Sequence, residues 1–393
     1  MRIGIVTEYY RPWPGGISEH VYHEAKELRR RGHKAIVITG PAVGQRPSDE
    51  VGVLRVGFAL KLPRNRTLCR ITIGRYMLVM RRLLRRLRLD ILHIHAPLEP
   101  VLGMVALAAS ETVNVGTFHA CFDPTIMPNL LYRGLRPLPE RLFARLHLRI
   151  AVSEEARRSI AHYFPGDYEI IPNGVDTERF HPHVPPLPEL VGRPTILFVG
   201  RLDPRKGLPL LLQAFPAVLA RMPRAQLVVV GGLGRLKTDE LRAELPPEVR
   251  PHVLFTGYVP PDLLPRYFTS CDLFCSPATG QESFGIVLLE AMAAGRPPVA
   301  FNIPGYREVV SHGQDGWLVP EIGPEPLAQA LIALLGNPSL RRRMGEAGRQ
   351  KALTYSWPRI AERLEACFVR ARAIAGEGSA VAGALAEARA GRC

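Results

Sequence analysis

Arg2-Ile3-Gly4-Ile5-Val6-Thr7, followed by Pro14-Gly15-Gly16 and then by Ser18 to Arg31 with Gly32 behind it, is the stretch that decides the fold. The first run is apolar enough for a buried strand, and the glycines permit a tight turn. Ser18 to Arg31 carries a helical pattern that Gly32 ends. A further strand at Lys34 to Thr39 completes a strand, turn, helix and strand, the unit of a parallel sheet covered by helices.

That unit recurs along the chain. Strands are expected at Asp90 to His95, Val113 to Phe118 and Arg149 to Val152, the last leading into a helix capped by Ser153 with glutamates in its first turn. A second series runs through Thr195 to Gly200, Gln226 to Val230, Val253 to Thr256, Leu273 to Ser276 and Pro298 to Phe301. Between the two lies the proline-rich His181-Pro182-His183-Val184-Pro185-Pro186-Leu187-Pro188, which places a boundary near residue 180. The expected architecture is α/β, with two doubly wound Rossmann-like domains, residues 1–180 and 181–356, facing a cleft. A helix over residues 357–375 is long enough to cross back onto the first domain. The alanine- and glycine-rich residues 376–393 are expected to form a disordered tail.

Composition narrows the partners. A chain of 393 residues with 47% hydrophobic and 22% charged residues is globular and long enough for two cores. It shows no apolar run long enough to span a membrane and no signal-peptide pattern. Cys69, Cys121, Cys271, Cys275, Cys367 and Cys393 lack C-x-x-C spacing, which favours reduced thiols in a cytoplasm. The net charge of +15 implies an anionic partner, either lipid, phosphorylated small molecules or nucleic acid. Nucleic acid is disfavoured, because no zinc-finger spacing, RNA-binding aromatic motif or helix-turn-helix signature is present.

Glu282-Ser283-Phe284-Gly285-Ile286-Val287-Leu288-Leu289-Glu290, followed by Ala291-Met292-Ala293-Ala294-Gly295, carries most of the chemistry. A glycine turn after one acid and an apolar run before the next suit a loop feeding a helix N-terminus. Such a terminus offers free N–H groups and the positive end of a dipole, which together hold phosphate. Glu282 would sit beside whatever the phosphate carries, and Glu290 could reach ribose hydroxyls. The plain alternative is a loop and a helix with two incidental glutamates.

Gly200-Arg201-Leu202-Asp203-Pro204-Arg205-Lys206-Gly207 follows the first strand of the second half. Arg201 and Lys206 would stand at the strand's C-terminal end as cations able to neutralise a leaving diphosphate, unless the loop is merely solvated. Thr117-Phe118-His119-Ala120 ends a strand of the first half, so His119 should also face the cleft. His93 and His95 share one strand face, a spacing that could suit a metal, yet no third ligand is apparent and no metal is assigned. Between Arg75 and Arg88, an apolar stripe of Met80, Leu83, Leu84 and Leu87 is surrounded by Arg81, Arg82, Arg85 and Arg86. Either an ordinary helix buries that stripe, or the helix lies on anionic headgroups, where each basic residue adds about 1 kcal/mol.

Pro14-Gly15-Gly16, Thr117-Phe118-His119-Ala120, Ile171-Pro172-Asn173-Gly174-Val175-Asp176, Gly200-Arg201 with Lys206-Gly207, and the Glu282 to Glu290 segment stand in one order over most of the chain. In this the chain resembles the retaining glycosyltransferases of family 4, which have the GT-B fold. The resemblance implies a nucleotide-sugar donor and no other cofactor. Arg201 and Lys206 would meet the diphosphate together with the backbone of Phe284, Gly285 and Ile286, and Gly16, Arg205 and Ser283 would also bind the donor. Glu290 would meet the ribose, Val259 the base, and Glu282 and His119 the transferred sugar.

Within the family the chain looks most like the phosphatidylinositol mannosyltransferases, through Asp90 to His95, Glu282 to Val287, the basic helix and Asn65-Arg66-Thr67-Leu68-Cys69-Arg70. That likeness implies GDP-mannose as donor, a UDP-sugar being the alternative. It implies phosphatidylinositol as acceptor and a peripheral position on the inner face of the cell membrane. Tyr9, Ser18, Arg64, Asn65, Thr67 and Arg70 map onto acceptor positions. Thr67 replaces a serine, Arg64 a tyrosine and Ser18 a glutamine, while Leu264 replaces a lysine near the base. An arginine at 64 still suits phosphate, because its planar fork matches that anion. The rivals are a soluble member acting on an inositol phosphate or a polysaccharide precursor, and a non-catalytic binding protein.

Overall fold

The structure is a computed structural model that describes residues 1–390 except 14, 42–50, 65–66, 74–75, 99–100, 120–136 and 233; the side chains of 58–76, 137–138 and 378–390 lie outside the description. The chain divides into two compact units, Met1–Pro172 with Trp357–Cys393, and Asn173–Ser356. The division falls before residue 180, because Val175 and Phe180 are already buried in the second core and the Val175 N–H donates to the Tyr355 carbonyl.

The first unit is built on strands β1 (Arg2–Thr7), β2 (Lys34–Thr39), β3 (Val53–Arg55), β6 (Ile91–His95), β7 (Val113–Phe118), β8 (Leu148–Ala151) and β9 (Glu169–Ile170). They form a parallel sheet in the order β3-β2-β1-β6-β7-β8-β9. The strand order reverses between β1 and β6, which is where open sheets of this kind bind ligands. β4 (Phe58–Arg64) and β5 (Thr67–Ile73) form a separate antiparallel hairpin that the sequence pattern did not disclose.

Helices α1 (Gly16–Arg30), α2 (Tyr76–Leu87), α3 (Leu102–Ala109), α4 (Pro137–Phe143) and α5 (Glu154–Ala161) belong to this unit. In α1 the buried Val21, Ala25 and Leu28 recur at helical spacing.

The second unit repeats the plan with β10 (Thr195–Val199), β11 (Gln226–Val230), β12 (Val253–Gly257), β13 (Leu273–Ser276), β14 (Pro298–Phe301) and β15 (Trp317–Val319). Its parallel order is β12-β11-β10-β13-β14-β15, reversing between β10 and β13. Helices α6 (Leu208–Arg221), α7 (Thr238–Glu244), α8 (Leu264–Ser270), α9 (Ile286–Ala293), α10 (Pro304–Arg307), α11 (Pro324–Leu335) and α12 (Pro338–Thr354) complete it.

The chain then enters α13 (Trp357–Ala390), which packs on α1 and β7 of the first unit. Trp357, Ile360, Leu364, Cys367, Phe368 and Ala371 form its buried stripe. The residues from Gly376 to Ala390 are helical, which corrects the expected disordered tail. Alanine loses little entropy in a helix, and here that outweighs the glycines.

Candidate functional site

In the second unit the reversal of strand order brings two loops together. β10 pairs directly with β13, so the loop from Gly200 to Gly207 and the loop from Pro277 to Gly285 leave neighbouring strands at the same sheet edge. Lys206 Nζ lies 2.8 Å from Glu282 Oε1. The Arg205 guanidinium binds the same oxygen and also donates to the Gln281 carbonyl at 3.2 Å. Arg201 instead pairs with Asp203, at 3.0 Å. Burial works against charge on Glu282, but Lys206 and Arg205 outweigh it and hold its carboxyl below the usual carboxylate range. Two cations on one carboxylate leave a surplus positive charge beside the start of α9.

That helix start is shaped by glycines. Gly285 caps α9 with φ +93°, and a Cβ there would come 2.7 Å from a Tyr306 ring carbon. Tyr306 is itself fixed by a 2.8 Å hydrogen bond between its hydroxyl and Ser276 Oγ. No side chain caps α9, so its first N–H groups remain available to an anion. Phe284 is buried, Ser283, Ile286 and Glu290 are half-buried, and Val259 packs half-buried at the edge of the core beyond β12. Gly305 matters through proximity: a Cβ there would meet the Glu282 carbonyl oxygen at 2.0 Å.

In the first unit the reversal gathers histidines. His93 and His95 lie on β6, His119 stands just past β7, and Glu24 reaches them from α1. Glu24 Oε1 is 2.6 Å from His93 Nδ1 and its Oε2 is 2.9 Å from His95 Nε2. His93 Nε2 lies 2.7 Å from Thr117 Oγ1, and His95 Nδ1 lies 2.7 Å from His119 Nε2. Burial opposes the charge of Glu24, yet His93 and His95 more than compensate and keep its carboxyl well below the ordinary range. Burial pushes His95 and, more strongly, His119 below the ordinary imidazole range, with neighbouring imidazoles adding to the effect.

Sequence reading found no third partner for the His93 and His95 pair, and the structure supplies Glu24. Atoms of His20, Glu24 and His95 lie within 4.8 Å of one another and form a candidate ligand set for a divalent cation. The 2.6 and 2.9 Å separations around Glu24 are those of direct N–H···O hydrogen bonds. The one signal in the sequence was Glu24 itself, a carboxylate within the apolar stripe of Val21, Ala25 and Leu28.

The residues expected at an acceptor are only partly described. Asn65 lies outside the described residues, and Arg64, Thr67 and Arg70 are placed by backbone alone, with Arg64 opposite Thr67 at the hairpin end. Tyr9 is half-buried, its N–H donating to Thr7 Oγ1, and Gly16 opens α1. Ser18 is fully buried, and its hydroxyl has no hydrogen-bond partner among the described residues.

On α2, Met80 and Leu84 are buried, with Leu83 and Leu87 packed against the same core. The apolar stripe therefore serves the fold. Arg81 and Arg85 both bind Glu111, at 2.6 and 2.8 Å, whereas Arg82 and Arg86 are exposed and make no ion pair among the described residues. Met77, Leu78 and Val79 are exposed at the start of the helix.

Known proteins carry the same two-part plan. Residues 14–179 match the family described as Glycosyltransferase Family 4, and residues 184–351 match Glycosyl transferases group 1. The phosphatidyl-myo-inositol mannosyltransferase of Mycobacterium leprae is 36% identical over 370 residues, 93% of this chain and 95% of that protein. The chain is a family 4 glycosyltransferase. A second relative of this glycosyltransferase, the GDP-mannose-dependent alpha-(1-6)-phosphatidylinositol monomannoside mannosyltransferase of Mycobacterium tuberculosis, is 37% identical over 234 residues, 56% of this chain and 60% of that one. Among solved structures, HepE of Anabaena in complex with UDP and glucose superposes with a TM-score of 0.72 at 19% identity, covering 94% of this glycosyltransferase and 100% of HepE. The fold is GT-B, two Rossmann-like α/β domains. No described helix of the glycosyltransferase is long and apolar enough to cross a membrane.

Proposed function

We propose that this glycosyltransferase moves a mannosyl group from GDP-mannose to phosphatidylinositol at a membrane surface, retaining the anomeric configuration. The observation that carries the donor half is Glu282, held by Lys206 and Arg205 immediately before the uncapped start of α9. In this reading the diphosphate takes the surplus charge of that pair and the first N–H groups of α9, and Arg201 lies nearby. Glu290 meets the ribose and Val259 the base. Glu282 and His119 position the sugar. GDP-mannose and phosphatidylinositol are supported by the names of the relatives.

The chemistry follows from the charge balance. A nucleophilic carboxylate would have to attack the anomeric carbon, but Glu282, engaged by Lys206 and Arg205, is read as positioning the sugar rather than attacking it. The acceptor hydroxyl therefore attacks that carbon on the face the diphosphate leaves. The bond to the phosphate oxygen breaks, and the hydroxyl proton passes to the departing diphosphate. Fixed cations and amide dipoles stabilise the growing negative charge, the largest electrostatic contribution in such reactions.

On the acceptor side, exposed Met77, Leu78 and Val79 with Arg82 and Arg86 offer apolar and cationic contacts to an anionic bilayer. Such a contact would hold the protein peripherally at the inner face of the cell membrane. A second reading, a soluble acceptor such as an inositol phosphate, draws support from Glu111, which pairs with Arg81 and Arg85 and offsets part of their charge. Calorimetric titration of the protein with GDP-mannose, UDP-glucose and UDP-N-acetylglucosamine tests the donor half. Tight binding of GDP-mannose that Lys206→Ala weakens is expected; preference for a UDP-sugar would overturn the assignment of the base.

A further inference from the structure

The Glu24 carboxylate serves two imidazoles at once, through His93 Nδ1 and His95 Nε2. An ionised carboxylate can only accept, so each imidazole carries its proton on the nitrogen that faces Glu24. A neutral imidazole has one N–H, and its other nitrogen must accept. His95 Nδ1 therefore accepts from His119 Nε2. This chain of protons ends at His119, with its N–H on Nε2 and a bare Nδ1.

We propose that Glu24 is a positioning residue: through His95 it locks His119 in the Nε2–H tautomer, so that Nδ1 accepts a hydrogen bond from a hydroxyl of the transferred sugar. The sugar contact rests on the reading of His119 given above; the tautomer does not.

Three further observations bear on it. The side chains of Glu24, His93 and His95 are fully buried, so bulk water does not compete for the hydrogen bonds of the chain. His20 from α1 and Cys367 from α13 face the network, while His23 of α1 pairs with Glu19 and stacks at 5.2 Å on Trp357 of α13. The His20 ring sits edge-on to those of His95 and His119, at 5.1 and 5.0 Å, and restricts their rotation. A carboxylate in the apolar stripe of α1 is costly without partners, and those it has lead directly to His119.

The test reads ring nitrogens by two-bond proton–nitrogen NMR on full-length protein labelled with 15N-histidine, the His119 signals being assigned from a His119→Ala sample. Wild-type His119 is expected to show the pattern of a single Nε2–H tautomer near pH 7.5; an Nδ1–H tautomer or an imidazolium overturns the proposal. Glu24→Leu removes the acceptor, so His119 should move to a mixture of tautomers. Turnover should fall about 10–100-fold while nucleotide affinity holds. An unchanged His119 spectrum in Glu24→Leu overturns the proposal. Should that variant fail to fold, His95→Phe, which removes the ring that joins Glu24 to His119, must give the same mixture, and a native spectrum there is equally fatal. Full turnover in His119→Ala would remove the sugar-contact reading alone and leave the tautomer to be judged by the spectra.

Discussion

Lys206 Nζ lies 2.8 Å from Glu282 Oε1, joining the loops that leave two neighbouring parallel strands. Residues 76 positions apart in the chain thus form one electrostatic unit at the point where the strand order of the second unit reverses. The pair holds a carboxylate and a cation together, which in the proposed reaction would leave little reorganisation to the transition state.

Lys206→Ala is therefore expected to lower kcat by about 10²–10³-fold, the usual cost of removing one preorganised charge-stabilising donor. Lys206→Arg should recover part of that loss. Steady-state transfer kinetics decide the matter, and a Lys206→Ala enzyme with normal turnover would remove this lysine from the diphosphate site.

Gly305→Ala should damage activity by displacing the Glu282 backbone while retaining every ionised side chain of the site. The added methyl carbon would stand 2.0 Å from the Glu282 carbonyl oxygen, so the Glu282 loop must shift. A shift of even about 1 Å at a reacting centre is enough for a loss near 10²-fold. Transfer assays and a crystal structure of the variant would check it; full activity with an undisplaced loop would contradict it.

Acid should weaken the fold from about pH 6.5 downward, the ordinary imidazole value. His95, His119 and His147 have folded values below it, so beneath that pH the unfolded chain binds protons the native protein refuses. Each such imidazole costs up to about 1.4 kcal/mol per pH unit. Glu24 and Glu282 are also depressed, and their contribution, present above about pH 4.3, is lost only under stronger acid. Urea midpoints between pH 8 and pH 5 should fall in the wild type and fall less steeply in His119→Phe. A flat wild-type profile would mean that these imidazoles are not held neutral.

Vesicle binding should separate the arginines of α2. Arg82→Glu and Arg86→Glu should each cost about 1 kcal/mol or more of affinity for phosphatidylinositol vesicles. Arg81→Gln and Arg85→Gln should cost less, because Glu111 already binds both. Sedimentation with vesicles of phosphatidylcholine alone or with added phosphatidylinositol supplies the measurement. Equal effects at all four positions would show that the ion pairs do not shape the surface.

Much of this was legible in residue order. Strands β1, β2, β7, β11, β13 and β14 begin and end where the apolar runs do, because a buried parallel strand must be apolar throughout. The glycine-capped start of α9 was legible through Gly285 between two acids. Glu24 was harder to see: its role depends on α1 packing beside β6, a contact made only when the sheet order places β6 next to β1. The engagement of Arg205 by Glu282 was hidden for the same reason. The helical end of α13 is not evident from its mixed alanine and glycine content, and the β4–β5 hairpin is not evident because its residues do not alternate cleanly between apolar and polar.

The most direct test of the account is to incubate the protein with GDP-mannose and liposomes containing phosphatidylinositol, then determine the mass and anomeric configuration of the lipid product. The expected product is phosphatidylinositol heavier by one hexose, carrying an α-linked mannose, with GDP released. An unmodified lipid alongside mannose transferred to a soluble inositol phosphate, or a β-linked product, would contradict it.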